Sequence, residues 1–270
     1  MNPRSIFTFQ HPTHNPTRSR TYTVNFFNTH ITTVVTSTAA VARNWVYNLR
    51  NTHRDSLSDS SLVIGLGVQW RATFGPNPAW PTAATIQLSV GPQCLIFQLG
   101  HANSVPATLR LLLEDERVTF VGVHNGRDRD LLEDSWAELA VWNVVDVAKT
   151  EGFGNTSMED MCGEVLGLHG TLKPREIGLS NWDDFWLSVD QVQYACVDAY
   201  VAYLLAVHLG YPKDDCYNVD DDDDDDHDDY NSDDYGGYGY GYGYDFENGY
   251  LDYEDYTNPY HYDSEWNYIG

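Results

Sequence analysis

Ser61-Leu62-Val63-Ile64-Gly65-Leu66-Gly67-Val68-Gln69-Trp70 is an apolar run of strand length, interrupted by two glycines and ending on an amide and an indole. Gly67 and Gln69 lie two residues apart and therefore share one face of the strand. A packed core favours branched side chains on such a face, and glycine inside a strand marks a close approach of another backbone or a ligand. The pattern points to a demand other than packing.

Outward from this run the chain alternates strand and helix signals. Residues 22–36 are dense in β-branched and aromatic residues around Asn28-Thr29-His30 and read as a hairpin. Residues 38–49 place Val41, Trp45 and Leu49 on one helical stripe. Strands follow at 84–90 and 95–99, parted by Gly91-Pro92, then a helix at 107–113 and a strand at 118–123. Asp128–Leu132 opens a helix, 139–147 reads as a strand, and Ser157 with Asp160 caps a helix running to Leu166. The last long helix is Ser188–His208, closed by Gly210 and Pro212. Three early strands followed by alternating helices and strands predict an α/β sheet covered by helices.

The 270 residues carry a formal net charge of −25, and that charge is unevenly spread. Residues 1–54 hold six Arg and no acid, residues 55–213 hold twenty acids and nine bases, and residues 214–270 hold twenty acids and no Lys or Arg. The net charge thus describes the tail more than the body. Residues 1–20 read as a flexible leader; their Arg, Ser and Thr content without acids is also compatible with a transit peptide. Residues 214–270, with an uninterrupted Asp220–Asp226 run and a Tyr/Gly repeat at 235–244, read as a disordered acidic tail. Cys94, Cys162, Cys196 and Cys216 are widely spaced with no metal-site pairing, which suggests a reducing, intracellular setting, nuclear or cytoplasmic. No stretch reaches eighteen apolar residues, so no membrane span is expected.

Tyr194 and Asp198 in Tyr194-Ala195-Cys196-Val197-Asp198 fall four apart, on one helical face. A phenol and a carboxylate so placed can orient a water and hold a divalent ion, although the spacing also arises by chance on amphipathic helices. Asp128 follows the apolar strand of Phe120-Val121-Gly122-Val123-His124-Asn125-Gly126-Arg127-Asp128, where a carboxylate can face a cleft; a first-turn helix acid also needs no function. Trp70, Arg71 and Arg127 beside these motifs are candidates for nucleic-acid contact, as are Arg129 and the stacking surfaces of Trp182 and Trp186.

Taken together, from about Tyr22 to Tyr211, the chain resembles the Werner-syndrome-type 3′–5′ exonuclease domain, a DEDD exonuclease with Tyr in its third motif. The resemblance rests on residues 62–71, 120–128, Ser180-Asn181-Trp182-Asp183 and residues 191–200. It implies an RNase H-like α/β fold over residues 21–213, with a mixed five-stranded sheet flanked by helices, and removal of nucleotides from 3′ ends with two divalent metals. Asp128, Tyr194 and Asp198 match catalytic positions, Asp128 and Asp198 as metal ligands, and Asp130 is an alternative to Asp128 if the helix starts later. Gly67 and Gln69 stand where active members carry Asp and Glu, so that motif is degenerate.

Hard cations such as Mg²⁺ or Mn²⁺ favour anionic oxygen, and the loss of both first-strand carboxylates predicts weak metal binding and impaired hydrolysis. The leading expectation is therefore a nucleic-acid-binding relative acting at DNA or RNA 3′ ends. The alternatives are an active exonuclease with altered metal use and a non-catalytic interaction module whose acidic tail engages a basic protein.

Overall fold

The computed structural model describes residues 6–12, 19–70, 81–170 and 173–212. The anticipated acidic tail, and Arg71, lie outside the described residues. The order of elements is Ile6–Gln10 (β1), Ser19–Phe26 (β2), Thr29–Thr36 (β3), Ala39–Thr52 (α1), Arg54–Ser58 (α2), Leu62–Trp70 (β4), Ala83–Val90 (β5) and Gln93–Gln98 (β6). After a 3₁₀ turn at Leu99–His101 come Ala107–Leu113 (α3), Val118–Gly122 (β7), Asp128–Ser135 (α4), Val144–Asp146 (β8), Val147–Thr150 (α5), Met158–Leu166 (α6), Arg175–Gly178 (α7) and Val189–His208 (α8).

These strands form one sheet in the order β1-β2-β3-β6-β5-β4-β7-β8. Within it, β6-β5-β4-β7-β8 is the mixed five-stranded arrangement that the resemblance implies. β4, β5 and β6 pair antiparallel, and β7 and β8 continue parallel from β4. The sheet is larger than five strands because β3 adds parallel to β6 and carries β2 and β1 with it. β1 falls inside the stretch expected to be a flexible leader; it pairs with β2 from Ile6↔Phe26 to Gln10↔Tyr22. Its neighbour supplies the backbone partners that an isolated five-residue segment lacks. Thr8 Oγ1 further donates to Gln193 Oε1 of α8 at 3.1 Å.

Two other expectations shift in detail. The β2–β3 turn is Phe27-Asn28, one residue before the expected centre, with Phe27 at φ 50° and its carbonyl accepting from Asn25 Nδ2 at 3.0 Å. The strand expected over 139–147 contracts to Val144–Asp146. Leu139 and Val141 are buried from a loop instead, which gives them strand-like hydrophobicity without strand pairing. Asp146 ends the strand by capping α5, its carboxylate accepting from the Ala148 and Lys149 N–H groups.

β4 is central and buried on both faces. Leu62, Ile64, Leu66 and Val68 join an apolar layer with α1 and α3, whereas Val63 joins the layer beneath α8. By strand alternation Gly65, Gly67 and Gln69 also face α8. That helix starts with a capping box: Ser188 Oγ accepts from the Gln191 N–H at 3.1 Å, and the Ser188 N–H donates to Gln191 Oε1 at 2.9 Å. The cap sets where α8 begins, and with it the height at which Tyr194 and Asp198 meet β4.

Candidate active site

The two glycines of β4 do different things. A Cβ at Gly65 would stand 1.9 Å from the Ala199 carbonyl oxygen, so Gly65 lets the α8 backbone lie directly on the strand. The three atoms nearest to a Cβ at Gly67 all belong to side chains, Gln87 Oε1 at 2.8 Å and Asp198 Oδ2 at 3.3 Å foremost. Gln87 pairs across from Gly67 on β5 and is fully buried. Its Nε2 donates to Thr85 Oγ1 at 2.5 Å, while its Oε1 has no hydrogen-bond partner.

Asp198 accepts hydrogen bonds at both carboxylate oxygens. Gln69 Nε2 donates to Oδ2 at 3.1 Å, and Lys173 Nζ donates to Oδ1 at 2.5 Å. The Lys173 and Asp198 side chains are 23% and 14% exposed, so the pair is largely withdrawn from water. Lys173 Nζ also lies 5.0 Å from the Tyr194 ring centroid. Tyr194 is buried, its ring 5.8 Å from that of Trp182.

Asp128 begins α4 at the end of β7, held there by its N–H donating to the Asn125 carbonyl at 2.9 Å. β7 pairs with β4 only as far as Gly65↔Val121. Beyond that point the Val68 backbone comes near the Asp128 carboxylate. The Asp128 carboxyl is pushed well above the usual carboxylate range, chiefly by desolvation and next by the charge of Asp198; Lys173 and the Val68 N–H oppose the rise. Gly67, Gln69, Asp128, Tyr194 and Asp198 thus converge around the end of β4, and Asp130 is exposed on α4.

The candidate nucleic-acid residues are scattered by comparison. Trp70 is half-buried against the α1-side apolar layer, beside a bulge between Gln69 and Trp70 in the β4–β5 ladder. Arg127 is exposed at the N-cap of α4, and Arg129 pairs with Glu133 at 3.1 Å. Trp182 is a core residue whose Nε1 donates to the Gly178 carbonyl at 2.9 Å. Trp186 is partly exposed, with the Arg20 guanidinium 3.7 Å over its ring. The Ser180–Asp183 motif has a structural explanation: Ser180 Oγ and the Asn181 carbonyl both accept from Gln191 Nε2 at 2.9 Å, which anchors the α8 cap.

Two residues of the site were not anticipated from the sequence. Lys173 sits in a loop, where no periodicity announces a partner. Gln87 was legible only as a polar member of a buried strand, on the same face as Thr85 and Ser89.

The donor set does not fit a two-metal centre. No group of three or more His, Cys, Asp and Glu among the described residues is placed to hold one metal ion. β4 contributes no anionic oxygen, and the amide of Gln69 presents its N–H to Asp198, one of the two carboxylates that a cation would need.

Residues 78–210 match the family model described as 3′–5′ exonuclease. The bifunctional 3′–5′ exonuclease/ATP-dependent helicase WRN of Mus musculus is 32% identical over 159 residues, covering 57% of this chain and 11% of that protein. A 3′–5′ exonuclease of Arabidopsis thaliana is 29% identical over 163 residues, covering 56% of this chain and 54% of its own length. The chain therefore spans about a tenth of the first relative and about half of the second.

Among solved structures, the Aedes aegypti Nibbler EXO domain aligns with a TM-score of 0.50 at 15% identity, covering 64% of this chain and 85% of that one. Escherichia coli RNase D aligns with a TM-score of 0.50 at 17% identity, covering 65% and 43%. Likeness at such identity is likeness of fold, and the fold is the RNase H-like sheet described above. With the sequence match running through β5, α4 and α8, residues 78–210 of this chain are matched to the 3′–5′ exonuclease family.

Proposed function

We propose that this protein binds 3′ ends of DNA or RNA in the cleft between β4, α4 and α8, and that phosphodiester hydrolysis there is impaired. The observation that carries the reading is the composition of the convergence: Asp128, Tyr194 and Asp198 meet, but the two β4 positions beside them are Gly67 and Gln69. The family's chemistry draws on divalent metal to activate water and to stabilise the leaving oxygen. Asp128 and Asp198 are the ligands left for Mg²⁺ or Mn²⁺, too few anions for tight binding. What the chain's own residues supply is the Tyr194 ring with the Lys173 cation beside it and, at the start of α4, the exposed Arg127. Body charge close to −11 makes the expected affinity modest and strongly dependent on salt.

A second reading follows from the acidic tail. Twenty acids without a Lys or Arg suit a basic protein partner, with the nuclease-like body acting as a non-catalytic scaffold.

The test uses labelled single-stranded and 3′-recessed DNA and RNA with Mg²⁺ or Mn²⁺. Wild type is expected to bind without trimming, and the double change Gly67→Asp with Gln69→Glu to gain metal-dependent trimming that Asp198→Ala abolishes. Gln87 Oε1 gives up no hydrogen bond when it moves from the incoming Cβ. Robust trimming by wild type overturns the impaired reading. Failure of wild type to bind any of the substrates moves the assignment to the interaction module.

A further inference from the structure

We infer that Lys173 is a resident cation that takes over the electrostatic role of a divalent ion at Asp198, so that the site is complete without metal. This deepens the reading above and rests on it. Asp198 would be the natural anchor for a cation between β4 and α8, yet both of its oxygens already accept hydrogen bonds, from Lys173 Nζ and from Gln69 Nε2. A carboxylate is an acceptor only, so the Gln69 amide is bound to turn its N–H toward it. At the position of a lost metal ligand the chain therefore carries a donor to the surviving one.

Three features favour an ammonium in this place over an incoming ion. The pair is partly withdrawn from solvent, with side-chain exposures of 23% and 14%, which strengthens the attraction over that of a surface pair. Lys173 Nζ is also held 5.0 Å from the centre of the Tyr194 ring, giving the cation a second point of attachment. On the strand side, buried Gln87 lies across from Gly67, so the nearest β4–β5 groups are amides with no anionic oxygen. A divalent ion entering here would have to displace Lys173 and would find fewer charges than its hydration shell demands compensation for.

The experiment measures Mn²⁺ binding to the full chain without nucleic acid, by the loss of the free-ion paramagnetic resonance signal. Melting temperature is followed with and without Mn²⁺. Wild type is expected to bind Mn²⁺ weakly and to melt at the same temperature with or without it. Lys173→Met, which keeps an aliphatic stem beside Tyr194, is expected to bind Mn²⁺ roughly tenfold or more tightly than wild type, because removing one positive charge raises the site's net anionic character. Mn²⁺ should raise its melting temperature, and adding Asp198→Asn should abolish both effects.

Lys173→Gln serves if the Met variant does not fold. Lys173→Arg, which preserves the charge, should behave as wild type. Equal Mn²⁺ affinity in wild type and in the charge-removing variants overturns the inference. Mn²⁺ binding by wild type as tight as that of the charge-removing variants, without strand trimming, defeats the resident-cation inference alone. Absence of both metal and nucleic-acid binding leaves that inference standing and defeats the 3′-end reading.

Discussion

Gly65 and Gly67 occupy one face of β4, two residues apart, for different reasons. At Gly65 the obstacle to a side chain is the Ala199 backbone carbonyl, 1.9 Å from the position of a Cβ, and backbone in a buried helix does not yield. At Gly67 the nearest obstacle is the far end of the Gln87 side chain at 2.8 Å. Gly65→Ala is therefore expected to destabilise the fold by roughly 3 kcal/mol or more, since α8 must lift from the sheet. Gly67→Ala should stay within about 1 kcal/mol of wild type, loss of unfolded-chain entropy offsetting the small shift of Gln87. Urea denaturation of the two variants checks this, and equal losses would mean that Gly67 is also a packing glycine.

At the scale of elements, α1 and the turn between α3 and β7 are joined through one carboxylate. Asp115 accepts from Arg50 Nη2 of α1 at 2.9 Å and from Arg117 Nε and Nη2, each at 2.8 Å. The Arg117 hydrogen bond is the leading cause that holds the Asp115 carboxyl below its ordinary value of 3.8. A carboxyl lowered in the folded state adds stability above its unfolded value, and that stability is lost as pH falls through the lower folded value. Asp115→Asn should thus melt a few degrees lower than wild type at pH 7, with the gap closing as pH drops below about 4. Parallel melting curves across pH 3–7 test it, and a gap independent of pH would assign the effect to packing.

At the scale of the whole molecule, charge is segregated along the chain. The acid-free first 54 residues and the base-free last 57 residues bracket a moderately acidic domain. Removal of residues 214–270 is expected to leave the melting temperature nearly unchanged, because the segment has no periodic apolar face to bury. If the polyanion competes with nucleic acid, the truncated chain will bind single strands more tightly than the full chain, with the difference largest at low salt and fading as ions screen it. Titrations at two salt concentrations measure this. An unchanged affinity would disconnect the tail from the cleft, and a drop of several degrees on truncation would place its tyrosines against the body.

Much of this protein was determined by short-range pattern. The apolar run of β4, the helical stripe of α1 and the Tyr194/Asp198 spacing are properties of a few consecutive residues, and the periods of strand and helix make them legible. The shared face of Gly67 and Gln69 was visible for the same reason, since position along a strand decides its face. What only the tertiary structure decided depends on where distant segments return. Lys173 reaches Asp198 from a loop 25 residues earlier in the chain, and loops carry no period from which such a meeting can be read. Gln87 lies opposite Gly67 because the β4–β5 register puts it there, and Ile6–Gln10 becomes a strand because β2 offers its backbone. Leu139 and Val141 are apolar for burial alone, a demand that a loop over the core meets as well as a strand does. Sequence thus singled out Gly67, Gln69, Asp128, Tyr194 and Asp198 for one site, and only the fold showed an amide and an ammonium engaging the Asp198 carboxylate.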